Sequence, residues 1–174
     1  MKRGKKLIRN LCLIVILLFV YCYFGGYFIS KEACIEDSLR GLQRNERETV
    51  TEFTLDNINY AVVVDREEKE YSVVGTRRIG FLYHTSGGVT GHVIKEEDCI
   101  DLSGYGDPDG AFLIIYRNDN EVQKVEAKLM NGREIVFEEW EDDFSIATIN
   151  DKEWYRGTYK AYDADGELIG EVQY

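Results

Sequence analysis

An unbroken run of 19 uncharged residues, Leu11 to Ile29, constrains this chain of 174 residues more than any other feature. A helix of that length, rising about 1.5 Å per residue, matches the roughly 30 Å hydrocarbon thickness of a bilayer. Basic side chains without acidic ones precede it, and they hold the start of a membrane helix on the cytoplasmic side: Lys2, Arg3, Lys5, Lys6 and Arg9. The sequence therefore predicts a single-pass membrane protein with residues 1–10 in the cytoplasm, a transmembrane helix at 11–29, and the remainder outside the cell membrane.

A cleaved signal peptide is the alternative interpretation of the same run. Cleavage requires small residues at the third and first positions before the cut. Cuts after Gly25 or Gly26 would put Tyr23 or Phe24 at the outer of these positions, and neither residue is small. We therefore expect an uncleaved anchor.

Charge is distributed unevenly along the chain. Of 21 basic and 32 acidic residues, five basic ones lie in the first nine positions, which leaves 16 basic against 32 acidic residues outside. Such a surface repels nucleic acid and anionic headgroups and attracts cationic ligands, although solubility alone would also explain it. We expect no nucleic-acid partner, a lipid bilayer contact through Leu11 to Ile29, and an unknown protein or envelope ligand.

Residues 30–46 follow the run with the pattern of a short amphipathic helix. Ile35, Leu39 and Leu42 recur at spacings of four and three, with charged residues between them. Gly41 and the polar residues after it end the pattern. We interpret the segment as a stalk helix that docks its apolar side on the outer domain.

From residue 47 to 174 the apolar periodicity becomes two, as in strands with one buried face. The segment Ala111 to Tyr116 is instead apolar on both faces, as a central strand would be, and three or four more strands follow it. Earlier strands are predicted at three places: Tyr60 to Val64, Tyr71 to Val74 and Arg77 to His84. The fold class is therefore mainly β (α+β), with an antiparallel β-meander or sandwich-like extracytoplasmic domain.

The segment 95–110 is polar and rich in glycine, and it holds the single proline, Pro108. Such composition is typical of a connection between strands. We interpret it as a candidate lobe boundary, which leaves open whether the domain has one core or two small sheets.

Two hairpins allow a prediction of register. A three-residue loop, 130–132, with Gly132 in the left-handed conformation would pair Ala127 with Ile135 and keep apolar residues on one face. Around Asp165 and Gly166 the same test favours a two-residue turn. That turn would pair Tyr159 with Val172 and Lys160 with Glu171.

Cysteine usage agrees with an oxidising outer compartment. Cys12 and Cys22 lie in the apolar run, whereas Cys34 and Cys99 lie beyond it. Cys34 and Cys99 are therefore a candidate disulfide, with two unpaired thiols as the alternative, because a bond requires α-carbons within about 7 Å.

Catalytic and metal-binding chemistry find little support in the residues. His84 and His92, with Asp98 and Cys99 nearby, are zinc-binding types, but their spacing is unlike that of structural zinc sites. Asp107 and Asp109, and likewise Asp163 and Asp165, precede glycine as in calcium loops but lack the later ligands. We expect no catalytic residues, no metal and no cofactor.

Ligand recognition without catalysis is the interpretation we favour, since loops carry function more often than strands do. Polar-tipped aromatic residues such as Trp140, Trp154 and Tyr155 suit such contacts. The candidate ligand-loop residues lie in or beside two glycine-rich segments: His84, Gly87, Gly88, His92 and Tyr105.

The chain resembles a group of membrane-anchored or secreted small proteins of Gram-positive bacteria. The resemblance rests on the basic start and single span, Glu36 to Leu39, Asn59 to Val64, and the closing segment Tyr162 to Ile169. That group has no assigned reaction, so the resemblance implies only the location and a β-rich outer domain.

We therefore predict a membrane-tethered, extracytoplasmic, non-catalytic binding, sensing or interaction module. One alternative is a cell-envelope enzyme such as a glycan hydrolase, which requires a deep cleft where residues of the set Glu138, Glu141, Asp142 and His84 converge. The other is a partner-blocking, immunity-like protein, which predicts an exposed apolar patch or an unpaired edge strand near Glu167 to Tyr174.

Overall fold

The computed structural model describes residues 2–40, 47–107, 110–149 and 156–174. It is 55% strand and 18% helix, with three antiparallel sheets, which confirms the mainly β fold class. In chain order the elements are α1 (Lys2–Phe24), β1 (Tyr27–Phe28), α2 (Lys31–Ser38), β2 (Arg47–Leu55), β3 (Ile58–Asp65), β4 (Glu70–Ile79), β5 (Leu82–Val93), β6 (Ile100–Asp107), β7 (Gly110–Arg117), β8 (Lys124–Leu129), β9 (Glu134–Phe137), β10 (Phe144–Ile149), β11 (Gly157–Tyr162) and β12 (Leu168–Gln173).

The strands form three sheets that stack as layers. Sheet 1 has the order β1-β5-β4-β3-β2, sheet 2 the order β10-β7-β6, and sheet 3 the order β12-β11-β8-β9. One buried cluster joins sheet 1 to sheet 2 through residues such as Tyr60, Tyr71 and Phe144. A second cluster joins sheet 2 to sheet 3 through residues such as Val125 and Tyr159. Sheet 2 is therefore the middle layer, and the strands form three sheets where the sequence left open one core or two small sheets.

Strand β7 occupies the centre of the stack because its side chains are apolar on both faces. Phe112 and Ile114 point into the cluster shared with sheet 1, whereas Leu113 and Ile115 point into the cluster shared with sheet 3. Successive residues of a strand face opposite sides of the sheet, so one continuous apolar strand can complete two cores. The prediction of a central strand here is confirmed.

Helix α2 covers the remaining face of sheet 1. Ser30 caps it by accepting a hydrogen bond from the backbone N–H of Ala33 at 3.1 Å. Ile35 and Leu39 pack on Ala61, Val63 and Val74, so the predicted docking of this helix through its apolar side is correct. The helix ends at Ser38, earlier than the predicted 46, and the predicted contact of Leu42 lies outside the described residues.

The β8–β9 hairpin has the predicted loop and register. Ala127 pairs with Ile135 and Val125 with Phe137. Gly132 has a φ of 83°, and its N–H donates to the carbonyl of Leu129 at 2.9 Å, which closes the three-residue loop.

The β11–β12 hairpin has the predicted register but a different turn. Tyr159 pairs with Val172 and Lys160 with Glu171, as predicted. The loop, however, is a three-residue one in which the N–H of Asp163 donates to the carbonyl of Glu167. A bulge between Ala161 and Tyr162 then shifts the strands back into the predicted register.

Two segments were assigned wrongly from the pattern. The predicted strand over residues 77–84 is a tight hairpin, because Ile79 pairs with Leu82 across Gly80, which has a φ of 64°. The predicted connection over 95–110 contains β6, in which Ile100 and Leu102 are buried in the cluster between sheets 2 and 3. The glycines of this segment interrupt the alternation of apolar and polar residues that would have indicated a strand. Five strands, rather than three or four, follow β7 in the described part of the chain.

Helix α1 stands apart from these layers. Its stretch Lys6–Phe24 has a mean hydropathy of 2.3, none of it is buried, and it is long and apolar enough to cross a membrane. The helix ends at Phe24, before the predicted 29, because Gly26 adopts a φ of 68° that breaks the helical path.

Candidate functional site

The connection between α1 and the β domain is short and structured. Tyr27 and Phe28 form β1 and pair with His84 and Tyr83 of β5, so the chain joins sheet 1 three residues after α1 ends. The Tyr27 ring stacks on Tyr21 of α1 at 6.1 Å between centroids. Ser30 then caps α2. We call this region the α1 junction: the C-terminal half of α1, β1, the start of α2, and the β4–β5 hairpin.

The α1 junction encloses an apolar hollow of about 520 Å³. One wall is α1, the opposite wall is the β4–β5 hairpin, and the linker and α2 close the end. The lining residues are almost all apolar: Val15, Leu18, Phe19, Cys22, Tyr23, Tyr27, Phe28, Ile29, Ser30, Ala33, Phe81 and Leu82.

The β4–β5 hairpin forms the far wall with a two-residue turn, Gly80 and Phe81. A positive φ at the first central residue is what a type II′ hairpin turn requires, and glycine supplies it without strain. The turn presents Ile79 and Phe81 to the outside, with 48% and 76% of their surface exposed. A hairpin tip usually carries polar residues, so the two apolar side chains need an explanation.

The candidate ligand-loop residues lie on strands rather than on loops. His84, Gly87, Gly88 and His92 belong to β5, and Tyr105 belongs to β6. A side-chain carbon added at Gly87 would lie 2.2 Å from the Tyr105 hydroxyl oxygen, so these two residues touch across the seam between sheets 1 and 2. The glycines permit close packing there, and their assignment to loops is wrong.

His92 and Asp101 form the polar link across the same seam. His92 Nε2 lies 2.7 Å from Asp101 Oδ2, and the Asp101 side chain is only 1% exposed. The His92 ring packs on Tyr71, with 4.8 Å between centroids. Burial raises the pKa of the Tyr71 phenol far above its usual range, the nearby Asp101 carboxylate adds to the rise, and Ser103 opposes it. The cluster satisfies a buried carboxylate and ties β5 to β6.

His84 lies away from this seam, at the α1 junction. Its ring packs on Tyr27 at 5.0 Å between centroids. His84 is opposite Arg77 in the sheet, and Arg77 is opposite Ile58, the first residue of β3. It therefore belongs to the end of sheet 1 nearest α1.

The acidic run 138–143 contacts sheet 1 in the middle of β2, at Thr51, and beyond the far end of β3, at Arg66. The Thr51 hydroxyl donates to Glu141, and Arg66 donates to Asp142 at 2.5 Å. Arg66 follows the last residue of β3, whereas His84 is aligned with its first, and eight residues of strand span about 23 Å. His84 and Asp142 therefore do not converge on one cleft.

The candidate disulfide is not formed. Cys34 is a buried residue of α2 whose Sγ lies 3.4 Å from the Thr85 hydroxyl, while Cys99 packs against Gly170 of β12. Burial raises the pKa of both thiols, so they stay protonated and poorly nucleophilic at neutral pH. The two sulfurs belong to different layers of the stack, and sequence spacing contained no information on that distance.

Metal-binding types are scattered among the residues that the structure describes. Within these, no group of three or more His, Cys, Asp or Glu side chains lies close enough to hold a metal ion. Asp163 instead accepts hydrogen bonds from the N–H groups of Asp165 and Glu167, as in a tight turn. The placement of Trp154, Tyr155, Pro108 and Asp109 lies outside the described residues.

The sequence analysis missed the exposed tip of the β4–β5 hairpin, although a signal for it was present. Residues 71–95 contain no Asp or Glu, in a chain with 32 acidic residues, and they include Arg77 and Arg78. Residues 1–31 are likewise free of acids. The fold brings these two segments together at the α1 junction. No protein-family model, no curated protein and no solved structure matches this chain.

Proposed function

We propose that this chain is a single-pass membrane protein that holds an acidic β domain at the outer face of the membrane as a non-catalytic binding or sensing module. The observation that carries the proposal is α1, whose stretch Lys6–Phe24 has a mean hydropathy of 2.3 and is not buried. An apolar surface of that size is unstable in water, and lipid is the solvent that would cover it.

The orientation follows from charge. Five basic residues precede or enter the apolar run, and the first acidic residue of the chain is Glu32. Basic flanks stay in the cytoplasm, so the β domain would face outward. The resemblance to membrane-anchored proteins of Gram-positive bacteria supports the same location.

Retention of the helix is favoured over cleavage by the packing of the residues that follow it. A cut after Gly25 or Gly26 would separate Tyr27 from the Tyr21 ring on which it stacks. A later cut, after Ala33, would remove both β1 and the Ser30 cap of α2. The segment that a signal peptidase would process is therefore part of the folded domain.

A binding role is favoured because the fold uses acidic residues of the run 138–143 for structural hydrogen bonds and ion pairs. Two of those offered for hydrolysis, Glu141 and Asp142, are bound instead to Thr51 and Arg66. A protein that recognises a ligand without turnover needs no convergent catalytic set, only accessible surface.

The location is tested by protease treatment of intact cells that express the full chain with an epitope tag at each end. We expect loss of the C-terminal tag and retention of a short N-terminal fragment that resists alkaline extraction. A C-terminal tag protected from protease, or a soluble form lacking residues 1–25, would overturn the location. Sedimentation with isolated cell-wall material tests the role: retention without release of sugars or peptides is expected, and release would favour the hydrolase alternative.

The partner-blocking alternative is supported by one observation. Within the part of the chain that the structure describes, strand β12 lies at the edge of sheet 3 and pairs only with β11, and Leu168 at its start is 55% exposed. A partner that adds a strand to this edge would lose affinity on Leu168→Lys, whereas a ligand bound elsewhere would not be affected. Glu167 and Glu171 keep the edge charged, so we place this function second.

A further inference from the structure

We propose that the tip of the β4–β5 hairpin enters the outer leaflet of the bilayer beside α1, so that the domain contacts the membrane at two points. The inference rests on the proposed function, because it requires α1 to span the bilayer. It adds a second membrane contact and thereby an orientation of the domain, neither of which a single tether provides.

The first argument is the exposure of large apolar side chains at the tip. Ile79 and Phe81 flank Gly80, and Phe81 is three-quarters exposed. Phe81 and its neighbour Leu82 also line the hollow whose other wall is α1. The tip thus continues the apolar surface of the helix. If lipid covers the helix, it would therefore cover the tip as well.

The second argument is depth. The hairpin shares its hollow with Phe19 and with Val15, which lies nine residues before the end of α1 at Phe24. Nine residues of helix correspond to about 14 Å. The aromatic end of α1 would lie at the outer interface, where Tyr21 and Tyr23 are favoured. A hairpin tip that shares this hollow with Phe19 and Val15 would reach the level of the acyl chains.

The third argument is that the tip exposes little unpaired backbone. Ile79 and Leu82 pair across the turn. The guanidinium of Arg78 donates from Nε to the carbonyl oxygen of Gly80 at 3.0 Å. Backbone groups at membrane depth need such partners because lipid tails provide none. A long arginine side chain can donate a hydrogen bond to the turn and still extend its charged end toward the headgroups.

The fourth argument is charge. The β domain is strongly acidic, and an acidic surface is repelled by anionic headgroups. Residues 71–95, which contain the hairpin, nevertheless carry no acid and include the exposed Arg77 and Arg78. The β4–β5 hairpin thus has the charge that a phospholipid surface attracts, whereas the first acid of the chain, Glu32, lies at the start of α2. This complementarity identifies outer-leaflet phospholipid as the occupant, with an acyl chain filling the hollow.

Depth-dependent fluorescence quenching tests the proposal in the full chain. The protein is reconstituted in vesicles of phosphatidylcholine and phosphatidylglycerol, with and without bromine on the acyl chains. Three variants each add one tryptophan at an exposed site: Phe81→Trp at the tip, Tyr23→Trp at the end of α1, and Met130→Trp on the β8–β9 loop. Met130 is the matched control, because it is an 80% exposed apolar residue at the tip of a hairpin in sheet 3.

We expect brominated lipid to quench the added fluorescence of Phe81→Trp severalfold more than that of Met130→Trp, with a blue-shifted emission. Equal quenching of these two variants, while Tyr23→Trp is quenched, would overturn the second contact and leave the anchor intact. A blue shift at Phe81→Trp without quenching would also overturn it, because a second copy or a partner helix would then cover the tip. Loss of quenching at all three positions would instead show that the tether itself is absent.

Discussion

Gly88→Ala should destabilise this protein far more than an ordinary glycine substitution. Gly88 lies in β5 with a φ of 142°, a region that side chains rarely adopt, and it pairs with Val74 of β4. An added side-chain carbon would lie 1.9 Å from the Val73 carbonyl oxygen. Because the obstacle is backbone of the neighbouring strand, no side-chain rotation can relieve the clash.

The magnitude follows from two costs. Placing a non-glycine residue at positive φ costs about 1–2 kcal/mol. Opening the contact from 1.9 Å to at least 3.0 Å separates β4 from β5 in the buried centre of sheet 1 and weakens the adjoining ladder hydrogen bonds. Overpacking of this kind costs roughly 1–3 kcal/mol, and each buried bond lost costs a similar amount. We expect the free energy of unfolding to fall by about 4 kcal/mol.

Gly132→Ala is the matched control. Gly132 also has a positive φ, 83°, but an added carbon there meets no atom within 4 Å. It should cost only about 1 kcal/mol. Urea unfolding of the full chain in detergent micelles, followed by tryptophan fluorescence, measures both. If the two variants lost equal stability, the close approach of β4 and β5 would be refuted, and Gly88 would suit the loop role that its composition first indicated.

Three further predictions address the core, the pH dependence and the anchor. Phe112→Ala should lower the free energy of unfolding by about 3–5 kcal/mol, since Phe112 is buried among the rings of Phe53, Tyr60 and Tyr105, whereas Val136→Ala on an exposed face should change it by less than about 0.5 kcal/mol in the same urea titration. The Tyr71 phenol has a raised pKa, so above about pH 10 the unfolded chain releases this proton while the folded protein keeps it, and the free energy of unfolding falls by about 1.4 kcal/mol per pH unit. In urea titrations at rising pH, Tyr71→Phe should lose less stability than the unchanged protein, and identical slopes for the two would contradict this. Leu17→Arg should reduce the fraction retained after alkaline extraction, because an arginine at a helix centre costs about 2.5–3.5 kcal/mol on insertion, and Leu17→Ile should leave that fraction unchanged.

The features that sequence reasoning predicted correctly are those that depend on neighbouring residues. The continuous apolar run from Ala111 to Tyr116 indicated a strand with two buried faces, and β7 has them. Apolar matching around Gly132 indicated the loop and register of β8–β9. Both inferences use the period of side chains along an extended backbone, which is a local property.

The incorrect assignments occur where glycine has a tertiary role. Composition alone made Gly87 and Gly88 part of a loop, yet both lie in β5 because Tyr105 and the Val73 backbone approach too closely for a side chain. For the same reason, the glycines of residues 104–110 led to β6 being assigned as a connection. A glycine that permits close packing and a glycine that permits a turn are identical in sequence, and only the neighbouring strand distinguishes them.

The sequence by itself determined the apolar span, the excess of acidic residues beyond it, the β class and two hairpin registers, because each is encoded within a few consecutive residues. Tertiary structure alone decided that sheet 2 lies between the other two, that Cys34 and Cys99 lie in different layers, and that the β4–β5 hairpin lies beside α1. These relations join segments far apart in the chain, and they result from the packing of whole layers, for which no local pattern carries a distance.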